Sequence, residues 1–386
     1  MDGIRLLPKN GDGCLVGRVW RADVGGPAVV TVRDGRLVDI TSRDFPTMRD
    51  LLEADDPAAL ARGARGDDLG PVEDIAAASF EPKGEATLRL LAPCDLQAIK
   101  ACGVTFARSM VERVIEERAA GDPLRAQEIR GRVAAIIVDS LRNLVPGSGE
   151  AAKVKAALIE EGLWSQYLEV GIGADAEVFS KAQIMSSVGW GASVGLHPVS
   201  RWNNPEPEIV LAVDSRGRVK GAALGNDVNL RDVEGRSALL LGKAKDNNAS
   251  ASIGPFIRLF DDGFGMDDVR RAELQLVVEG EDGFVLNGQS SMKEISRDPL
   301  DLVRQTVGRH HQYPDGFMLY LGTLFAPVED RDVQGEGFTH KVGDIVSISS
   351  PALGTLMNVV RLSTECPPWT FGAGALMRNL AARGLI

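Results

Sequence analysis

Cysteine is scarce in this chain and poorly placed for structural chemistry. Cys14, Cys94, Cys102 and Cys366 stand far apart with no C-x-x-C pair, so neither a zinc site nor a disulfide framework is indicated. Long apolar runs are missing too: none approaches the ~20 residues of a transmembrane helix. The first five residues lack the apolar core of a signal peptide. Positive charge is in deficit, with a net of -11, which argues against a nucleic-acid or anionic-membrane partner. These absences together predict a reduced, cytoplasmic location. What is present is an ordinary globular balance, 44% apolar and 25% charged. A length of 386 residues accommodates two domains, or one large domain with an appendage.

Residues 14–41 read as short strands, with Asp34-Gly35 as a hairpin turn between two of them. Residues 42–80 are alanine-rich and helical in part. Residues 1 to about 90 are therefore expected to form a smaller N-terminal domain without a catalytic constellation, and residues 91–386 the catalytic domain. Inside the latter, residues 110–168 are charged and helix-rich, for example at 134–141, and Pro146-Gly147-Ser148-Gly149 breaks the run. From Val178 the β pattern returns, with strands at 274–278 and 284–286 around the Asp282-Gly283 turn. Residues 301–306 and 371–386 read as helices.

The chain is organised around residues 203–213. Residues 209–213 are a continuous apolar run, the pattern of a buried strand. Glu206 and Glu208 stand where it begins. Residues i and i+2 of a strand share a face, about 7 Å apart. Two anions that close repel unless a cation lies between them, and hard divalent ions take such oxygens. The alternative for Glu-x-Glu alone is a charged strand end facing water. Asp227, at the end of a second strand, is a natural third carboxylate. An all-oxygen triad suits Mg²⁺ or Mn²⁺ rather than Zn²⁺, with Ca²⁺ able to substitute in a crystal. His310-His311 is a poor metal pair, because adjacent residues on a strand point oppositely, and His197, before Pro198, reads as structural.

Further short motifs follow in order: Asn226-Asp227 with Arg231-Asp232, Gly242-Lys243, Gly254-Pro255, then Gly343-Asp344 before Ser350-Pro351. With Glu206-Pro207-Glu208, this succession across about 150 residues resembles the fumarylacetoacetate hydrolase superfamily. The resemblance implies a β-dominated α+β fold, a mixed β-sandwich roll with a smaller N-terminal domain and a helical insertion at about 110–168. That insertion would cover the site as a lid or contribute to oligomer contacts. A homodimer or homotetramer is implied as well.

The same resemblance assigns roles. Hydrolytic members carry a His and a Glu three residues apart that activate a water; here Ser109 stands at the His position and Glu112 at the Glu. Without an imidazole there is no obvious group to deprotonate water near neutral pH. Lys181 falls at a pocket lysine, and Ser186 and Ser187 are either hydroxyl donors to a substrate carboxylate or a simple turn. Arg231 and Ser350 are further substrate contacts. Lys243 stands beyond the metal-binding strand as an enolate-stabilising ammonium or a base. The Ser-for-His change, the long insertion and the run from Gly242 to Ser250 are most similar to the sugar-acid dehydratase branch. Implied is Mg²⁺-dependent loss of water from a 2-keto-3-deoxypentonate, such as 2-keto-3-deoxy-D-xylonate, to give 2,5-dioxopentanoate in oxidative pentose catabolism. The reaction would run through a metal-stabilised enolate. Glu112, Lys181 and Lys243 all remain candidates for removing the C3 proton. The competing activity is C–C hydrolysis of a 2,4-dioxo acid, against which Ser109 argues.

Overall fold

The computed structural model describes residues 6–9, 13–80, 88–129, 144–160, 162, 164–323, 325, 327, 329–334 and 337–386. The helical stretch expected at 134–141 lies outside the described residues. Two sheets make the body. The larger has eleven strands, and its central run is Leu15–Arg21, Ala251–Leu259, Val219–Asp227, Pro207–Val213, Phe317–Tyr320, Ala98–Gly103 and Glu177–Ala182. The smaller has five, in the order Val285–Ser291, Glu273–Glu279, Ile345–Ser350, Gly354–Leu362 and Ser193–Leu196. Pairing is antiparallel except for Phe317–Tyr320 with Ala98–Gly103 and Gly354–Leu362 with Ser193–Leu196, so the sheets are mixed as expected.

The apolar run at 209–213 has its explanation in the layers. Ile209, Leu211 and Leu224 share one buried cluster with Leu276, Ile348 and Leu356 of the smaller sheet. Val210, Ala212 and Ala223, on the opposite face, pack with Leu51 and Leu52 of the helix Met48–Glu53 and with Ala58 of the helix Pro57–Gly63. A strand covered on both faces has no polar side to alternate with.

The first strands join this architecture directly. Leu15 and Val16 pair in register with Arg258 and Ile257, so the residues expected in an N-terminal domain extend the same large sheet. Asp34 and Gly35 both have positive φ, 49° and 71°, as a two-residue hairpin turn requires. A third apolar cluster belongs to the helical segment: Met110, Val114 and Ile115 of the helix Ala107–Ala119 pack against Leu158, Leu168 and Ile172. No helix among the described residues is long and apolar enough to cross a membrane.

Candidate functional site

Strand register builds the acidic centre. In the antiparallel pair of Pro207–Val213 and Val219–Asp227, Glu208 faces Gly225 and Pro207 faces Asn226. The next step sets Asp227 opposite Glu206, and the Asp227 N–H donates to the Glu206 carbonyl at 3.0 Å. Glu208, two residues from Glu206, shares its face. All three are buried, and one carboxylate oxygen from each lies within 4.8 Å of the others. Burial, with Asp227 and Glu206 alongside, pushes the Glu208 carboxyl well above the usual carboxylate range. Burial acts on Asp227 in the same sense, but Lys181 and Lys245 outweigh it and hold that carboxyl low. Opposite oxygens around an octahedral Mg²⁺ are about 4.1 Å apart, twice the ~2.05 Å bond. Three hard oxygen donors in this spread, one of them destabilised by its neighbours, fit such an ion.

The triad forms one wall of a cavity with about 30 Å³ of free space, room for a water or two. The helix Ala107–Ala119 supplies Ser109, Glu112, Arg113 and Glu116, and the short helices Arg231–Glu234 and Leu241–Lys245 supply Arg231, Glu234 and Lys245. Lys245 Nζ donates to Glu206 at 2.6 Å and to Asp227 at 3.2 Å. Burial opposes its charge, but Asp227, Glu206 and Glu234 together hold the ammonium protonated. Arg231 is fixed from three sides, by Glu116 at 2.7 Å, by the Pro327 carbonyl at 2.9 Å and by the Trp202 ring at 4.3 Å. Arg113 pairs with Glu206, with Glu116 at 2.7 Å and with Glu234 at 3.2 Å.

Glu177 opens the strand Glu177–Ala182 and also faces the cavity. It pairs with Gly103, and a Cβ at that glycine would lie 1.9 Å from the Glu177 carboxylate, so glycine is what leaves the carboxyl room. Burial first, then repulsion from Glu234, raises the Glu177 carboxyl to about 7. Gly322 serves differently: its N–H donates to Glu208 at 2.7 Å from a backbone with φ of 90°, a conformation that favours glycine. Among the described residues lining the cavity there is no histidine.

No family model matches the chain. Two curated relatives do. The "Probable 2-keto-3-deoxyxylonate dehydratase" of Haloferax volcanii is 28% identical over 256 residues, 66% of this chain and 84% of that protein. The "2-dehydro-3-deoxy-D-arabinonate dehydratase" of Saccharolobus solfataricus is 28% identical over 48% of this chain and 58% of its own length. Among solved structures, a 2-keto-3-deoxy-D-arabinonate dehydratase complexed with magnesium and 2,5-dioxopentanoate superposes with a TM-score of 0.63 at 19% identity, over 90% of this chain and 99% of that one. A fumarylacetoacetate hydrolase from Exiguobacterium antarcticum gives 0.53 at 17% identity, over 90% and 99%. The fold is the one these two solved structures share, the fumarylacetoacetate hydrolase fold. Both curated relatives are dehydratases named for 2-keto-3-deoxy sugar acids.

Within this fold, the expected site residues separate into two groups. Glu206, Glu208, Asp227, Glu112, Ser109 and Arg231 converge on the cavity. Ser109 turns its hydroxyl back onto the Phe106 carbonyl at 2.9 Å. Lys181 lies just behind the wall, fully buried, with Nζ 2.8 Å from Asp227 and donating to the Lys245 and Val228 carbonyls at 2.6 and 3.2 Å. It positions Asp227 and the end of the lysine helix.

Lys243 is a correction. It is exposed, and Lys245 holds the place expected of it. Residues 241–245 form a helix, where a two-residue step turns the side chain by about 200°. Ser186, Ser187 and Ser350 are corrections as well, since none lines the cavity. Ser186 donates to the Gln183 carbonyl at 2.7 Å, closing its own turn. Ser350 ends a strand of the smaller sheet and lines a different cavity, with Leu7 and Gln275. The carboxylate triad comes together as its strand spacing implies, whereas Lys245, Glu177, Arg113 and Glu234 join the cavity without an expectation from the sequence. One sequence signal pointed to Glu177: it lies four residues before Lys181 in the run where the β pattern returns.

Proposed function

We propose that this chain dehydrates a 2-keto-3-deoxypentonate, 2-keto-3-deoxy-D-xylonate or its D-arabinonate-named equivalent, to 2,5-dioxopentanoate, with Mg²⁺ held by Glu206, Glu208 and Asp227. One observation carries this reading: a buried carboxylate triad shares its cavity with a lysine and a further carboxyl near neutrality, and with no imidazole among the described lining residues. A divalent ion in that triad supplies Lewis-acid stabilisation of the charge that develops on the 2-oxo oxygen. Mn²⁺ has the same ligand preferences.

The chain's own groups divide the remaining work. Lys245 stands over the triad and offers an ammonium to the developing oxyanion. Glu177, with its carboxyl raised to about 7, carries a proton for roughly half its population at neutral pH and gives it to the departing C4 hydroxyl. Glu112 lies 3.8 Å from the Arg231 guanidinium and is the second carboxyl of the pair: whichever of the two is ionised takes the C3 proton, the other protonates the departing C4 hydroxyl, and a later proton shift from C5 to C3 with tautomerisation of the C4–C5 enol completes the aldehyde. Lys181, with its donors directed to Asp227 and two carbonyls, holds geometry rather than moving a proton. Hydrolysis of a 2,4-dioxo acid needs a base for water, and Ser109 is engaged with the Phe106 carbonyl.

The test is a product assay. Purified protein and Mg²⁺ are incubated with a panel of 2-keto-3-deoxy acids and 2,4-dioxo acids, and products are identified by mass. Loss of one water from a five-carbon 2-keto-3-deoxy acid is expected. Cleavage of a dioxo acid without dehydration of any sugar acid would overturn the assignment in favour of the hydrolase.

A further inference from the structure

Both oxygens of Glu206 are engaged by cations. Oε1 accepts from Arg113, and Oε2 accepts from Lys245 at 2.6 Å. A divalent ion that takes Glu206 as a ligand must therefore displace one of them or share an oxygen with it. The two cations differ in what each would lose. The Lys245 side chain is 3% exposed and bridges two of the three triad carboxylates. The Arg113 side chain is 14% exposed, reaches only one of the triad, and keeps Glu116 and Glu234 in contact when Glu206 is released. Arg113 is the cation that can yield.

The walls of the same cavity hold seven carboxyl groups against three cations. An anionic substrate entering it needs a cation that can exchange one of its present partners. Arg231 is fixed by Glu116, a carbonyl and an indole, and Lys245 by the triad. Arg113, on the helix Ala107–Ala119, is the most exposed cation in that wall. A guanidinium presents a planar fork that matches a carboxylate.

We propose that Arg113 is an exchangeable cation: it gives up Glu206 to the divalent ion and turns its fork to the carboxylate of the incoming 2-oxo acid. Metal loading and recognition of the acid are then linked through one side chain. The idea rests on the 2-oxo acid and metal assignments above and adds the residue that selects the anionic end.

Binding measurements test it without turnover. Mn²⁺ affinity is read from the electron paramagnetic resonance signal of the free ion, and pyruvate affinity for the Mg²⁺-loaded protein by titration calorimetry. Arg113→Met, which removes the charge but keeps an unbranched chain, is expected to tighten Mn²⁺ binding several-fold. The same variant should weaken pyruvate binding about 10- to 100-fold, the worth of a charge-assisted hydrogen bond. Arg113→Lys, which keeps a charge beside Glu116 and Glu234 but loses the fork, should leave Mn²⁺ affinity near wild type and weaken pyruvate binding several-fold. It carries the test alone if Arg113→Met does not fold by circular dichroism. Unchanged pyruvate binding in either variant, or weaker Mn²⁺ binding in Arg113→Met, overturns the proposal. If both affinities move as expected while no sugar acid is dehydrated, the proposed reaction fails and the Arg113 role stands.

Discussion

Lys245 Nζ lies 2.6 Å from Glu206 and 3.2 Å from Asp227, while Lys243, on the same short helix, is exposed. The pair is a built-in control, since both are lysines in one Lys-Ala-Lys run. Lys245→Met should lower kcat about 10²–10⁴-fold, the usual worth of a positioned polar group in the chemical step. Lys243→Met should leave kcat at the wild-type value. Steady-state kinetics on the two variants decides the matter, and the reverse pattern would return the role to Lys243.

Glu208→Gln keeps the volume and removes one anion from the triad. Its Oε2 accepts from the Gly322 N–H at 2.7 Å, a bond that the amide oxygen can still make. The fold should therefore survive, while Mg²⁺ affinity and turnover fall together. Calorimetric Mg²⁺ titration alongside kinetics measures both. Normal turnover by this variant after chelator treatment would show that the metal sits elsewhere.

These two sites illustrate what a sequence discloses. Glu206, Glu208 and Asp227 were legible because strand geometry is local: a period of two fixes which side chains share a face. The large sheet was legible in the same way, from the apolar run at 209–213 and the Asp34-Gly35 turn. Lys243 and Lys245 could not be separated without the phase of a five-residue helix, which the residues around it do not fix. Ser350 was misplaced because its strand belongs to the other sheet, a tertiary fact with no local signature. Glu177, Arg113 and Glu234 meet only when a strand, a long helix and a short one converge on the triad.

Remote from the cavity centre, Arg331 binds Asp344 through both terminal nitrogens, at 2.6 and 2.7 Å, and His340 Nδ1 lies 3.1 Å from the same carboxylate. The His340 N–H donates to Asn203, three residues before Glu206, so the cluster ties the segment after Gly322 to the start of the strand that carries Glu208. Burial raises the Asp344 carboxyl, but Arg331 and His340 outweigh it and bring it to about 2. The folded value is below the unfolded 3.8, so this stabilisation is complete above pH 3.8 and is lost as the pH falls towards 2. Asp344→Asn removes the two-nitrogen partner of Arg331 but leaves it Asp282 at 3.1 Å, and should cost about 1–3 kcal/mol. Urea unfolding at neutral pH checks the cost, and the variant should lack the acid-limb loss between pH 3.8 and 2.

Glu177 and Glu112 are the two cavity carboxyls placed to protonate a leaving hydroxyl, and their environments set them apart. Glu112 lies 3.8 Å from Arg231, whereas Glu177 is raised to about 7 by burial and by Glu234. Between the unfolded value of 4.5 and the folded value near 7, the native chain binds the extra proton, so stability must fall as the pH rises through that window. Glu177→Gln cannot titrate and should flatten that slope, being as stable as wild type near pH 4.5 and more stable at pH 8. The same variant should slow the chemical step about 10²–10⁴-fold, because the amide has no proton to give. Glu112→Gln should cost less in the chemical step. Ser109→His restores an imidazole but should not speed dehydration. Single-turnover rates for the two glutamine variants, with thermal melts at pH 5 and 8, separate the roles. A wild-type rate in Glu177→Gln together with a large loss in Glu112→Gln would give the proton to Glu112.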